Sequence, residues 1–234
     1  MPSPLSPLRD QLLDTVLGSA EAVNLLLIAP LARGHALVTG PPGIGKTTLA
    51  HTLATSLSGQ FKRVQFTPDL LPSDILGYNL CQPQTGEFNF IAGPVFANLL
   101  LADEINRASP RTQSSLLEAM NERQVTIDGE TRPLPNPFMV VATQNDSSST
   151  GTFPLPEPQL DRFLLSIPMS LPNDDTQLAI LRFHSEQLEK TEASKILSLE
   201  ELRKLQDESA AMPVSDNLQR YLLSLCQAVR TVLG

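Results

Sequence analysis

The stretch Gly40-Pro41-Pro42-Gly43-Ile44-Gly45-Lys46-Thr47 constrains this chain more than any other. It fits the pattern Gly, four residues, Gly-Lys-Ser/Thr, which marks a loop that wraps phosphate. Ala36, Leu37 and Val38 precede it as a short buried strand. Thr48 to Leu57 follow as a helix, with Leu49, Leu53 and Leu57 on one face. Glycines let backbone N–H groups turn inward around an anion, and the helix N-terminus adds the positive end of its dipole. Lys46 is expected to reach the β- and γ-phosphates, and the Thr47 hydroxyl to sit on Mg²⁺. The expected nucleotide contacts are Gly40, Pro41, Pro42, Gly43, Ile44, Gly45, Lys46, Thr47 and Thr48. A nucleoside triphosphate is therefore the expected ligand, as ATP with Mg²⁺.

A chain of 234 residues suits one large domain, or a domain with a small companion. With 41% hydrophobic and 18% charged residues a sizeable core is available; Trp is absent and aromatics are 5%, so that core is mostly aliphatic. A formal charge of −8 and a pI near 4.9 argue against a mainly electrostatic nucleic-acid binder. Cys81 and Cys226 match no metal-ligand spacing and fit free thiols in a reducing compartment. The N-terminus lacks the basic-then-apolar pattern of a signal peptide, and the apolar run Leu25 to Pro30 is too short to cross a bilayer. A cytoplasmic location is expected.

Taken in order, Leu8 to Leu17 and Ala20 to Ala32 read as helices broken at Gly18. After the glycine loop and its helix, Gly59 is expected as a C-cap, and Arg63 to Phe66 as a second strand. Thr67 to Gly77 is too proline-rich for a long helix. Tyr78 to Cys81 and Glu87 to Ile91 flank a turn and predict an exposed hairpin. Asn98 to Ala102 and Phe138 to Ala142 are nearly all apolar, as strands of a parallel sheet covered on both faces are. Between them lie a helix, Pro110 to Asn121, and a hairpin turning at Asp128-Gly129. Phe163 to Ile167 is the last expected strand. Beyond Pro172 only amphipathic helices follow: Asp174 to Lys190, with Asn173 as N-cap, then Leu199 to Asp207 and Ser215 to Leu233.

Two acidic residues, Asp103 and Glu104, end the apolar strand, and such ends face the ligand crevice of a parallel sheet. Asp103 is expected in the Mg²⁺ shell, and Glu104 as the base that orients and deprotonates water. Asn145 ends another buried strand, where its amide either reads the γ-phosphate or simply serves the turn. Arg162 reads either as a finger reaching a neighbouring subunit's γ-phosphate or as the partner of Asp161 or Glu157 in a surface ion pair. For Arg107 and Arg111 the ion-pair reading leads.

Together these residues resemble the MoxR family of AAA+ ATPases. The likeness is carried by Phe66 to Asp74, Gly93 to Ala108, Gln113 to Ile127, Pro154 to Glu157 and Gln159 to Phe163. It implies an α/β fold, the αβα sandwich of P-loop NTPases with a five-stranded parallel sheet over residues 1–170, and a partial helical lid over 171–234. It also implies that Asn145 is sensor 1, that Arg162 is the arginine finger, and that the two hairpins are the helix-2 insert and the pre-sensor-1 hairpin. Asp146 stands where the family has proline. The family's sensor 2 arginine lies in a lid segment beginning Leu-Gly-Ala-Ser-Pro-Arg, and by that comparison this chain resembles a member shortened at Leu233-Gly234. The implied function is ATP hydrolysis in a hexameric ring that remodels or activates protein clients. A partner with a von Willebrand A domain, and metal or cofactor insertion as a purpose, are implied with it. A chelatase-type motor subunit and a non-hydrolysing nucleotide switch are the alternatives.

Overall fold

The computed structural model describes residues 5–145, 151–186 and 195–233. Helices α1 (Ser6–Thr15) and α2 (Ala20–Leu31) lead into β1 (Ala36–Gly40), α3 (Lys46–Ser56) and β2 (Phe61–Gln65). A short α4 (Pro72–Leu76) precedes a hairpin of β3 (Gly77–Cys81) and β4 (Phe88–Ala92). Then come β5 (Leu99–Asp103), α5 (Pro110–Glu122) and a second hairpin of β6 (Gln124–Ile127) and β7 (Glu130–Pro133). The chain continues through β8 (Met139–Asn145), α6 (Glu157–Leu160) and β9 (Leu165–Pro168). It ends with α7 (Asp174–Glu186), α8 (Leu199–Ala210) and α9 (Asp216–Leu233).

Five strands form one parallel sheet in the order β2-β5-β8-β1-β9. Its three inner strands come from the most apolar runs, because both of their faces are covered. Successive residues along each strand point to opposite sides. Ala36, Val38, Leu99, Leu101, Met139 and Val141 therefore join α1, α2, α3 and α8 on one side. Leu37, Leu100, Ala102, Val140 and Ala142 join α4 and α5 on the other. Each fully buried leucine contributes roughly 1.5–3 kcal/mol. The result is the expected αβα sandwich, with β1, β5 and β8 ending on one edge.

After β9 only helices follow. Asn173 Oδ1 accepts the Thr176 N–H at 2.9 Å, as an N-cap does, ahead of α7. Helix α8 packs on α2, where Gln206 Nε2 donates to the Pro30 carbonyl at 2.7 Å and Leu202 enters the first core. Residues 216–231 of α9 are exposed. Cys81 and Cys226 are exposed free thiols.

Local details differ from the sequence reading in several places. Gly59 does not cap α3, which ends at Ser56 with Leu57 extended. Gly59 is instead a packing site, since a Cβ there would lie 2.9 Å from Leu199 Cδ2 and 3.0 Å from Asn98 Cβ. Strand β2 starts two residues early, at Phe61, and leaves Phe66 just beyond its end, fully buried. The segment after it makes one turn of helix, α4, with Pro72 in the first turn and the Asp74 carboxylate accepting the Leu71 N–H at 2.9 Å. Strand β9 starts at Leu165, because α6 and the turn after it occupy the preceding residues. The second hairpin turns where expected, with Asp128 and Gly129 at φ +50° and +84°.

His35 joins the sheet to α5. Its Nδ1 accepts the Val140 N–H at 2.9 Å, so the ring proton is on Nε2, facing the Met120 carbonyl at 3.3 Å. Burial lowers its pKa from 6.5 to about 4; the Met120 carbonyl opposes this and the Arg123 charge adds to it. Below the unfolded value the unfolded chain takes up a proton that the folded ring refuses, so the fold weakens as pH falls from 6.5 toward 4. This group should remove about 3 kcal/mol over that window. Urea denaturation from pH 7 to 4 should show a shallower loss in His35→Gln than in the wild type. Equal slopes would contradict the assignment.

Candidate active site

The glycine loop is shaped by three positive φ angles: Gly40 at +143°, Gly43 at +82° and Gly45 at +94°. Gly40 ends β1 where β9 passes, and a Cβ there would lie 2.2 Å from the Met169 carbonyl oxygen. Around Gly43 there is open space. Gly45 is the left-handed residue from which α3 starts, so the first amides of α3 have no helical acceptor and turn toward the loop. Lys46 is buried, and its Nζ donates to the carbonyls of Gly40 and Pro41, both at 2.6 Å. The ammonium group lies within the loop it belongs to.

Asp103 gathers the neighbouring elements. Its Oδ1 accepts the Thr47 hydroxyl at 2.9 Å and the Thr143 hydroxyl at 2.5 Å. Its Oδ2 accepts both Nη2 and Nε of Arg63, at 2.6 and 3.2 Å. The side chain is 5% exposed, so these donors replace nearly all of its water.

Glu104 has a left-handed backbone, φ +57° and ψ +50°, which costs a non-glycine residue about 1–2 kcal/mol. The Thr143 hydroxyl holds that turn by accepting the Glu104 N–H at 2.9 Å. Outside the turn, Glu104 Oε1 accepts the Asn145 amide at 2.9 Å. Its Oε2 accepts Gln65 Nε2 and Arg107 Nη1, both at 3.0 Å. Arg107 is thus an ion-pair partner, and that partner is Glu104 itself.

A cleft of about 700 Å³ opens over these groups. Gly43, Lys46, Thr47, Asp103, Glu104 and Asn145 line it, together with the apolar Val16, Leu17, Ile180 and Leu181. The lysine, the hydroxyl and the two carboxylates present hard oxygen and cationic donors side by side. That set fits a polyphosphate and a hard divalent cation such as Mg²⁺. No cluster of three or more His, Cys, Asp or Glu suited to a metal exists among the described residues.

Arg162 stands apart. It is exposed beyond α6, does not line the cleft, and forms no ion pair with Asp161 or Glu157. Arg111 likewise forms no ion pair among the described residues, so the surface-bridge reading fails for it. Asp146 lies outside the described residues.

Sequence reasoning did not single out Arg63, Gln65 or Thr143. For two of them the sequence shows only that they share a strand face. Arg63 and Gln65 alternate on one face of a short strand, and that strand pairs with β5 so that Gln65 lies opposite Asp103. Thr143 shares a strand face with Asn145, but the expected strand stopped at Ala142, one residue before it.

Residues 35–165 match the family model described as "ATPase family associated with various cellular activities (AAA)". The chain is 43% identical over 215 residues to the protein YeaC of Bacillus subtilis, covering 92% of this chain and 67% of that one. It is 42% identical over 215 residues to Chaperone MoxR1 of Mycobacterium tuberculosis, covering 92% and 56%. The crystal structure of a putative ATPase from Cytophaga hutchinsonii superposes with a TM-score of 0.83 at 40% identity, covering 95% of this chain and 67% of that one. The chain thus spans between 56% and 67% of the lengths of these relatives.

The two glycines of the loop should respond differently to alanine. At Gly40 the new Cβ meets backbone, and the change should cost about 3–5 kcal/mol through strain and overpacking. At Gly43 only the left-handed φ is penalised, at about 1 kcal/mol. Urea titration of both variants measures the difference, and equal losses would contradict the geometry.

Proposed function

We propose, from the premise that this chain belongs to the MoxR-family AAA+ ATPases, that it binds ATP with Mg²⁺ and hydrolyses it to ADP and phosphate. The observation that carries this reading is the Thr47–Asp103 hydrogen bond inside the cleft that Lys46 lines. It joins the loop suited to phosphate to the carboxylate suited to the cation's shell. Gly40 to Thr48 would surround the phosphates with backbone N–H groups, and Lys46 would turn from the Gly40 and Pro41 carbonyls to the β- and γ-oxygens. Thr47 can offer an oxygen lone pair to the cation while its proton stays on Asp103. Bound Mg²⁺ would supply positive charge to the phosphate oxygens.

Glu104 is the proposed general base. It sits two hydrogen bonds from Asp103, through its own N–H and the Thr143 hydroxyl, and at the edge of the same cleft. Asn145 is proposed as sensor 1, since its amide reaches the Glu104 carboxylate and lines the cleft. Arg162, exposed and outside its own cleft, is proposed to act in a neighbouring subunit of a hexameric ring. The division into an ATPase core over 1–170 and a partial lid over 171–234 belongs to this reading. So do chaperone-like remodelling of protein clients, a von Willebrand A domain partner, metal or cofactor insertion, and a cytoplasmic setting. No helix among the described residues is long and apolar enough to cross a membrane.

Lys46→Ala should weaken binding of a fluorescent ATP analogue by about tenfold to a hundredfold, the worth of a charge-assisted hydrogen bond. Unchanged affinity would end the phosphate-loop reading. Glu104→Gln should keep that affinity and lose about 10² to 10⁴ in phosphate release, because an amide cannot take the water's proton. Near-normal turnover would remove Glu104 from the role. Arg162→Ala should lose about 10³ to 10⁵ in turnover and regain part of it when mixed with Glu104→Gln subunits. Mixed assemblies that form yet stay inactive would contradict action in trans.

A further inference from the structure

We infer that Arg63 makes binding of a divalent cation beside Asp103 conditional on phosphate, so that the cation enters the cleft with the nucleotide rather than before it. The inference rests on the nucleotide reading above and adds a specificity-determining residue to it.

A carboxylate offers about four lone-pair sites. At Asp103 two are taken by hydroxyl protons on Oδ1 and two by the Arg63 fork on Oδ2. A bare cation approaching this carboxylate must therefore displace a donor, and on Oδ2 that donor is the guanidinium. The Arg63 side chain is half-exposed, yet Asp103 is not all that holds it. Its Nη2 also donates to Gln65 Oε1 at 3.2 Å, and β2 is an edge strand registered against β5. Arginine keeps its charge at any working pH, and here two of its N–H groups converge on the one oxygen Oδ2.

The charge balance points the same way. Lys46 and Arg63 line the cleft with Asp103 and Glu104, and Arg107 pairs with Glu104, leaving that set positive by one. A dication alone would add to that excess. A triphosphate brings enough negative charge to reverse it, and its oxygens supply ligands that the protein lacks, since the described residues hold no three-membered His, Cys, Asp or Glu cluster. Thr47 can still offer an oxygen lone pair, so the site becomes competent once phosphate is present.

The test uses the full chain without nucleotide and Mn²⁺ as the probe, followed by electron paramagnetic resonance. The wild type should bind Mn²⁺ at least about tenfold more tightly with a non-hydrolysable ATP analogue than without it. Arg63→Ala should bind Mn²⁺ without nucleotide at least about tenfold more tightly than the wild type, and adding Asp103→Asn should abolish the gain. Arg63→Gln removes the charge while keeping a donor, so it should show the same gain and serves if Arg63→Ala fails to fold. Arg63→Lys keeps the charge and should stay near the wild type. Wild-type Mn²⁺ binding that ignores the nucleotide, or no gain in the folded variants, overturns the inference. A separate titration of ATP in chelator keeps the two readings apart: ATP binding with no Mn²⁺ gain sinks this inference alone, whereas absence of ATP binding even with Mg²⁺ sinks the nucleotide reading.

Discussion

The Asp103 carboxylate is the joint on which this structure turns. It is nearly buried, and a buried charge is stable only when its lone pairs are met by donors. Those donors come from three other elements: Thr47 on α3, Thr143 on β8 and Arg63 on β2. One charge thereby ties the phosphate-type loop to two strands of the sheet. The same Thr143 hydroxyl then holds the N–H of Glu104 and with it a left-handed turn that the chain would otherwise avoid. The direction in which Glu104 points depends on Asp103 being satisfied.

The sheet makes this joint rigid. Alternate residues of β1, β5 and β8 fill two aliphatic cores, so a register shift of one residue would exchange both faces. That lock leaves the strand ends to carry polar groups. Gly40, Asp103 and Asn145 all come at the last position of an inner strand. The cleft above them mixes polar groups with Val16, Leu17, Ile180 and Leu181, a lining that suits a ligand with both charged and apolar parts.

Much of this was legible in the sequence because it is local. The glycine loop, its helix with Leu49, Leu53 and Leu57 inward, and the apolar strands ending at Asp103 and before Asn145 are all read within a dozen residues. The hairpin at Asp128-Gly129 is local too, since only φ-tolerant residues make that turn. What periodicity did not show is which strands lie side by side. Arg63 approaches Asp103 only because β2 pairs with β5, a contact between distant segments, so an exposed arginine on a short strand carried no sign of its partner. Thr143 was hidden for a different reason: a threonine just past an apolar run reads as the end of the strand until its hydroxyl's neighbours are known. Gly59 misled in the opposite sense, as a glycine after a helix suggests a cap but here makes room for Leu199 and Asn98.

The central claim is that a nucleoside triphosphate lies in the loop and is sensed by the network around Asp103. Hydrogen–deuterium exchange on the intact chain, with and without ATP and Mg²⁺, tests it most directly. The account predicts slower exchange at the amides of residues 43–48, 103–104 and 143–145, with the outer hairpin of β3 and β4 unchanged. Protection confined to other parts of the chain, or none at saturating ATP, would contradict it.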